Sequence, residues 1–116
     1  MNKFKELKVW QKSIQLVTNI YSATIDFPKE EIYGITSQIR RCAVSIPSNI
    51  AEGAGRGTKK DFSHFLDIAN GSSFELETQL IISKELGFID HNIIESILSE
   101  LGEIQKMITG LQKSLN

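Results

Sequence analysis

Hydrophobic residues recur along this chain at the three- and four-residue spacing of α-helices, and this spacing divides the chain into four segments. Helices are predicted at about residues 7–26, 35–53, 59–86 and 92–114. The side chains expected to face inward from the first two helices are Leu7, Trp10, Ile14, Val17, Tyr21 and Thr24, followed by Ile39, Ala43, Ile46 and Ile50. Those expected from the last two are Phe62, Phe65, Leu66, Ala69, Ser73, Leu76 and Leu80, followed by Ile94, Ile97, Leu101, Ile104, Ile108, Leu111 and Leu115.

Residues that favour helix ends stand at the borders of these segments. Thr58 is a suitable N-cap for the third helix, with Asp61 three residues later as a weaker form of the capping box. Gly87 is a candidate C-cap, and Asp90 or Asn92 opens the fourth helix. Because the connections are short, neighbouring helices should pack antiparallel. The pattern predicts an all-α fold, an up-down antiparallel four-helix bundle that forms a single domain over residues 1–116.

The second helix carries a polar stripe beside its apolar face. Exposed helix positions usually hold Lys, Glu or Gln, which are good helix formers, whereas this stripe holds arginines and small polar residues. We therefore expect it to pack against another helix or another subunit as a polar seam. The seam is predicted to contain Arg40, Arg41, Ser45, Asn49, Glu52, Ser72, Glu75 and Glu77.

The two adjacent arginines in this seam have two interpretations. A guanidinium group could bind phosphate, because it is always charged and donates two parallel hydrogen bonds. The favoured interpretation is that Arg40 or Arg41 forms an ion pair with Glu75 or Glu77, within one subunit or between subunits, since a buried arginine usually has such a partner.

Charge is unevenly divided along the chain. Residues 1–60 contain ten Lys/Arg and five Asp/Glu, whereas residues 61–116 contain three and nine, for a net charge of −1. Oppositely charged helices could attract each other within the fold or between subunits. Alternatively, one face is basic and binds nucleic acid while the other is acidic and binds a protein. The pI of about 6.1 argues against strong general binding of nucleic acid.

A glycine-rich connection between the second and third helices carries three cations. Its free amides and the following helix dipole could bind an anion, although it lacks the lysine–hydroxyl spacing of a P-loop. The favoured interpretation is a helix end and a tight reversal that needs positive φ angles. The candidate contacts to an anion or to nucleic acid are Arg56, Lys59, Lys60, Lys3, Lys5, Lys8 and Lys12.

The sequence offers little for catalysis or cofactors. Cys42, the single cysteine, is expected on an apolar helix face, and His64 and His91 lie on different helices, so no metal site, cofactor site or catalytic group is predicted. No apolar run is long enough to span a membrane, and the charged N-terminus does not resemble a secretory signal. We expect a cytoplasmic protein that is not an enzyme.

Three segments together resemble a known protein family. They are Phe4-x-x-Leu7-x-x-Trp10-Gln11, then FPKEEIYGITSQIRRCAVSIPSNIAEGAGR, then DFSHFLDIANGSSFELETQL. These segments resemble the four-helix bundle proteins encoded in intervening sequences of bacterial 23S rRNA genes, which are similar in fold to the accessory variability proteins of diversity-generating retroelements. The resemblance implies a small helical bundle that assembles as a homopentameric ring.

Two functions follow from these observations. The first is an oligomeric protein that binds structured RNA or DNA weakly, through electrostatic contacts from a basic surface. The alternative is a protein-interaction scaffold that makes no nucleic-acid contact and presents a surface to an unidentified protein. Salt-dependent binding of RNA distinguishes them, because phosphate contacts weaken steeply as salt rises.

Overall fold

A computed structural model describes residues 3–116, which fold into four α-helices and two short 3₁₀ helices with no strand among these residues. The helices are α1 (Lys8–Ala23), α2 (Ile35–Ala54), α3 (Lys59–Glu85) and α4 (His91–Ser114), with 3₁₀ helices at Phe4–Glu6 and Lys29–Glu31. Each α-helix begins and ends within three residues of its predicted bounds. The predicted all-α bundle is therefore confirmed.

Side-chain caps begin the last two helices. Thr58 Oγ1 accepts a hydrogen bond from the Asp61 N–H at 3.1 Å, as the capping pattern predicted. Asp90 Oδ2 accepts from the Asn92 N–H at 3.1 Å, so Asp90 rather than Asn92 is the N-cap of α4. Both caps supply an acceptor to a backbone N–H that the first helical turn leaves without an intrahelical partner.

Helix α3 ends in a Schellman motif at Gly87. Gly87 has φ +77° and donates its N–H to the carbonyl of Lys84 at 3.0 Å. Phe88 donates its N–H to the carbonyl of Ser83 at 2.9 Å. Only glycine adopts this φ without strain, so the residue fixes the reversal into α4.

The core is formed by residues from all four helices and lies where the pattern predicted for α2, α3 and α4. Its fully buried large side chains are Leu16, Ile20, Ile39, Ile46, Ile50, Leu66, Leu76, Leu80, Ile94, Leu101, Ile104 and Ile108. Phe62, Trp10 and Leu111 are partly buried and pack against this core. Trp10 of α1 and Phe62 of α3 therefore contribute to packing, as expected of side chains at helical spacing.

The inward face of α1 is the exception. Its buried residues are Val9, Ser13, Leu16 and Ile20. Two residues predicted to face inward are exposed: Ile14 by 39% and Tyr21 by 42%. The predicted face was wrong for these two residues, whereas Leu7, Trp10 and Val17 pack against the core and Thr24 is buried. The reason is that α1 carries apolar residues at helical spacing on two neighbouring stripes, and only packing against α2 and α4 decides which is covered.

Helix α2 packs closely along α3, while α1 packs against α2 and α4. At Gly53 the two helices approach closely, because a Cβ added there would lie 2.7 Å from Phe65 Cβ. Gly55 at the end of α2 has φ −82°, and Gly87 is the one residue with positive φ in the described chain. The predicted need for positive φ in the glycine-rich connection is therefore wrong, and close helix packing is the structural role of Gly53.

Candidate functional site

The polar seam lies between α2 and α3, and three of its predicted members meet there. The hydroxyls of Ser45 and Ser72 are 2.9 Å apart and share a hydrogen bond between the two helices. Asn49 Nδ2 donates to the Ser45 carbonyl at 2.8 Å and to its hydroxyl at 2.9 Å. Their small side chains allow the helices to approach while keeping their polar atoms hydrogen-bonded.

An open groove of about 420 Å³ continues this seam on the protein surface. Its lining residues are Gln38, Arg41, Cys42, Ser45, Ser72, Glu75 and Gln79. Cys42 packs against the hydrophobic core as predicted, but its Sγ also donates to Glu75 Oε2 at 3.6 Å. Burial, followed by the negative charge of Glu75, raises the pKa of the Cys42 thiol. The reactive thiolate is thereby disfavoured.

The two arginines have different surroundings. Arg40 is half-buried, donates from Nε to Thr24 Oγ1 at 2.9 Å, and stacks over the Tyr21 ring at 4.6 Å from its centroid. Arg41 is exposed and forms no hydrogen bond or ion pair with the described residues. The predicted pairing of either arginine with Glu75 or another α3 glutamate is therefore wrong within one chain. Arg40 turns toward α1 instead, and Arg41 remains available to a second molecule.

The remaining acidic members of the predicted seam lie outside it. Glu77 accepts from Gln105 Nε2 at 3.0 Å and so belongs to the interface of α3 with α4. Glu52 forms an ion pair of 2.9 Å with Arg56 one helical turn later. The Arg56 guanidinium also lies over the Phe65 ring, 4.8 Å from its centroid.

Most of the predicted cationic contacts gather at one end of the bundle. In the antiparallel arrangement, the start of α1, the α2–α3 connection and the end of α4 meet at this end. Gln112 near the end of α4 donates to the Ser63 carbonyl near the start of α3 at 3.1 Å, and this hydrogen bond holds the two helices together there. We call residues 3–8, 52–61 and 110–116 the basic end; they contain seven Lys/Arg and three Asp/Glu. Lys12 lies beyond it and forms an ion pair of 2.7 Å with Glu103.

The opposite end of the bundle is acidic. We call residues 24–34 and 84–95 the acidic end; they contain six Asp/Glu and two Lys/Arg. Charge is therefore separated along the 43 Å long axis, in addition to the opposite net charges that the sequence shows for the two halves of the chain. The reason is that the basic first half and the acidic second half each run the length of the bundle, and their charges concentrate near particular helix ends.

The acidic end also exposes large hydrophobic side chains, which the helical pattern did not indicate. Tyr33 is 96% exposed, Ile25 74% and Leu86 57%. The sequence contained a pattern that could have indicated this exposure. Each of the three residues is large and hydrophobic, lies outside the four inward stripes, and is close to acidic residues in the sequence.

Residues 3–116 give no support for a metal site or for a membrane-spanning helix. These residues include no group of three or more His, Cys, Asp or Glu side chains arranged to hold a metal ion. His64 lies near the start of α3 and His91 at the start of α4, toward opposite ends of the bundle. None of the helices described is both long and apolar enough to span a membrane.

Comparisons with known proteins agree on the family. A comparison with curated proteins gave no match. A crystal structure of a protein of unknown function from Bacteroides thetaiotaomicron, described as of the S23 ribosomal protein family, is similar, with a TM-score of 0.84 and 27% sequence identity. The similarity covers 90% of this chain and 95% of that one. Residues 5–110 match the family model described as 23S rRNA-intervening sequence protein. This chain belongs to the family of 23S rRNA-intervening sequence proteins.

Proposed function

We propose that this protein is a cytosolic, non-enzymatic helical bundle that self-assembles and binds the phosphates of structured RNA or DNA through its basic end. The observation that carries the proposal is the convergence of cations from three separate segments on one end. Lys3, Lys5, Lys8, Lys59 and Lys60 make no ion pair with the residues described. They are also exposed, so phosphate contacts require no rearrangement of the fold.

The chemistry of this end favours weak binding without base specificity. Phosphate contacts release counterions and supply affinity that does not depend on sequence. Binding of single strands commonly relies on exposed aromatic rings that stack on bases. The two aromatic residues that follow the cationic connection, Phe62 and Phe65, are half-buried, and Arg56 lies over the Phe65 ring. The basic end therefore suits a phosphate backbone better than unpaired bases.

The self-assembly part of the proposal is a homopentamer. The family resemblance implies this number of subunits, and the exposed, unpaired Arg41 supports a contact that one chain does not satisfy. Light scattering on the purified protein should give about five times the chain mass of 13.0 kDa. A monomeric mass at micromolar concentration would contradict the assembly without affecting the nucleic-acid prediction.

The nucleic-acid prediction is tested by reversing two charges at the basic end. The parent should bind a hairpin RNA with a Kd in the micromolar range at about 50 mM salt, and binding should fade toward about 150 mM. Lys59→Glu with Lys60→Glu should weaken binding about tenfold or more, because each lost phosphate contact reduces affinity and the new carboxylates repel the backbone. Fluorescence anisotropy with labelled RNA measures the effect.

The matched control carries the same change in net charge at the acidic end. Lys29→Glu with Lys84→Glu should leave RNA affinity within about twofold, since neither lysine lies near the basic end. Among residues 3–116, the one ion pair that these changes remove is the surface contact of 3.8 Å between Lys84 and Glu95. Such pairs contribute little to stability. No binding by the parent at low salt, or equal weakening in both double variants, would contradict a site at the basic end.

A further inference from the structure

The acidic end carries the most exposed hydrophobic side chains in the described part of the chain. Tyr33, Ile25 and Leu86 are more exposed than any other large hydrophobic residue there, and Ile32 is 47% exposed. We call these four residues the apolar cap. Single exposed hydrophobic residues are ordinary, but a group of them on one end, surrounded by polar residues, marks an interaction surface.

The apolar cap stands on a packed base. Its residues come from the α1–α2 connection and from the end of α3. These two regions are held together by Phe27 and Phe88, whose ring centroids are 5.7 Å apart. Phe27 and Ile89 are themselves buried in the core. The cap is thus presented on a fixed surface, which lowers the entropic cost of binding.

Exposed carboxylates lie next to the cap residues in the sequence, at the same end of the bundle. Asp26, Glu30 and Glu85 are exposed and form no ion pair with residues 3–116. Glu95, in contrast, contacts both Lys84 and His91. An apolar group of residues with unpaired acidic groups at the same end is complementary to a surface that is apolar in the middle and cationic at its edges.

We propose that the apolar cap is a docking site for a basic amphipathic helix of another protein. Its hydrophobic face would cover Tyr33, Ile25 and Leu86, and its Lys or Arg residues would reach the carboxylates at this end. This inference goes beyond nucleic-acid binding and does not depend on it, because the cap and the basic end lie at opposite ends of the bundle.

Two other occupants fit less well. The basic end of a second copy has the complementary charge, but none of its residues is among the exposed large hydrophobics that could cover the cap. Such end-to-end contacts also need not close into a ring. An anionic membrane surface would be repelled by Asp26, Glu30 and Glu85, since surface-bound proteins use Lys and Arg for that purpose.

The test uses a labelled peptide of about 18 leucine and lysine residues, with leucine at positions i, i+3, i+4 and i+7 and lysine elsewhere. Fluorescence anisotropy with the full chain should give a Kd in the micromolar range. Tyr33→Ser with Leu86→Ser should weaken binding about tenfold or more. The matched control, Phe74→Ser with Ile81→Ser, removes two exposed hydrophobic residues from α3 and should change binding less than about twofold.

Further measurements distinguish a basic helix from the other two possible partners, a second copy of the chain and a lipid surface. A peptide with glutamate in place of every lysine should not bind, and light scattering should give the same mass for both double variants as for the parent. The proposal is overturned if the glutamate peptide binds equally well, if both double variants weaken binding alike, or if the parent does not bind the lysine peptide. It is also overturned if Tyr33→Ser with Leu86→Ser changes the oligomeric mass or abolishes binding to anionic phosphatidylserine vesicles, because the cap would then contact a second copy or a lipid surface.

Discussion

Gly53→Val should lower the free energy of unfolding by about 3 kcal/mol, the upper part of the range for overpacking a well-packed interior. A Cβ at this position would lie 2.7 Å from Phe65 Cβ and 3.2 Å from the backbone oxygen of Phe62. These atoms belong to the body of α3, so they cannot move aside as the end of a flexible side chain can. The steric clash can therefore be removed only if α2 and α3 move apart, and this movement weakens the packing between them.

The effect is measured by urea unfolding followed by circular dichroism at fixed protein concentration. Gly71→Val is the matched control, because Gly71 is exposed on α3 and an added Cβ would meet no atom within 4 Å. Valine favours a helix slightly more than glycine. The free energy of unfolding of the control variant should therefore be unchanged or higher by about 0.5 kcal/mol. Equal stability of the two variants would show that α2 and α3 do not approach as closely as described.

The parts of this fold that the sequence predicted correctly depend on residues close together in the chain. The cap formed by Thr58 and Asp61 spans three residues, and the reversal at Gly87 is set by one backbone angle. Helical spacing is equally local, so the bounds of all four helices could be predicted closely. Such features need no knowledge of which helix packs against which.

The incorrect predictions concern contacts between distant residues. Arg40 or Arg41 was expected to pair with a glutamate on α3, yet the partners of Arg40 are Thr24 and Tyr21, which lie on or next to α1. Helical spacing places Arg40 on a face of α2 but does not say which neighbour covers that face. The hydrogen bond between Ser45 and Ser72 was foreseeable only as a general tendency of small polar residues at helix crossings.

The two charged ends were missed for a related reason. The sequence shows two halves of opposite charge, and separate faces are the simplest arrangement of two halves. In the bundle, each half is a helical hairpin that contributes to both ends. The position of a charge along its helix therefore matters in addition to the half to which it belongs. Lys3 and Lys113 share one end although they belong to different halves of the chain.

The inward face of α1 gives the second large prediction. Leu16→Ala should lower the free energy of unfolding by about 3 kcal/mol, because Leu16 is fully buried and its truncation leaves a cavity as well as removing apolar contacts. Ile14→Ala is the matched control on the same helix and should cost about 1 kcal/mol or less, since Ile14 is 39% exposed. Both variants replace an aliphatic side chain of four carbons with alanine, so their helix propensities change in the same direction.

Chemical denaturation at one protein concentration compares the two variants and keeps any contribution from self-association constant. The two possible buried stripes on α1 predict opposite rankings of the two variants by loss of stability. If the stripe containing Ile14 faced the core, Ile14→Ala would be the more destabilising change and Leu16→Ala would be nearly neutral. The described packing requires the reverse, because Leu16 and Ile20 are both fully buried while Ile14 lies at the edge of a shallow groove shared with Val44. If the free energy of unfolding of the Ile14→Ala variant is about 2 kcal/mol higher than that of the Leu16→Ala variant, the stripe containing Leu16 is the buried face of α1.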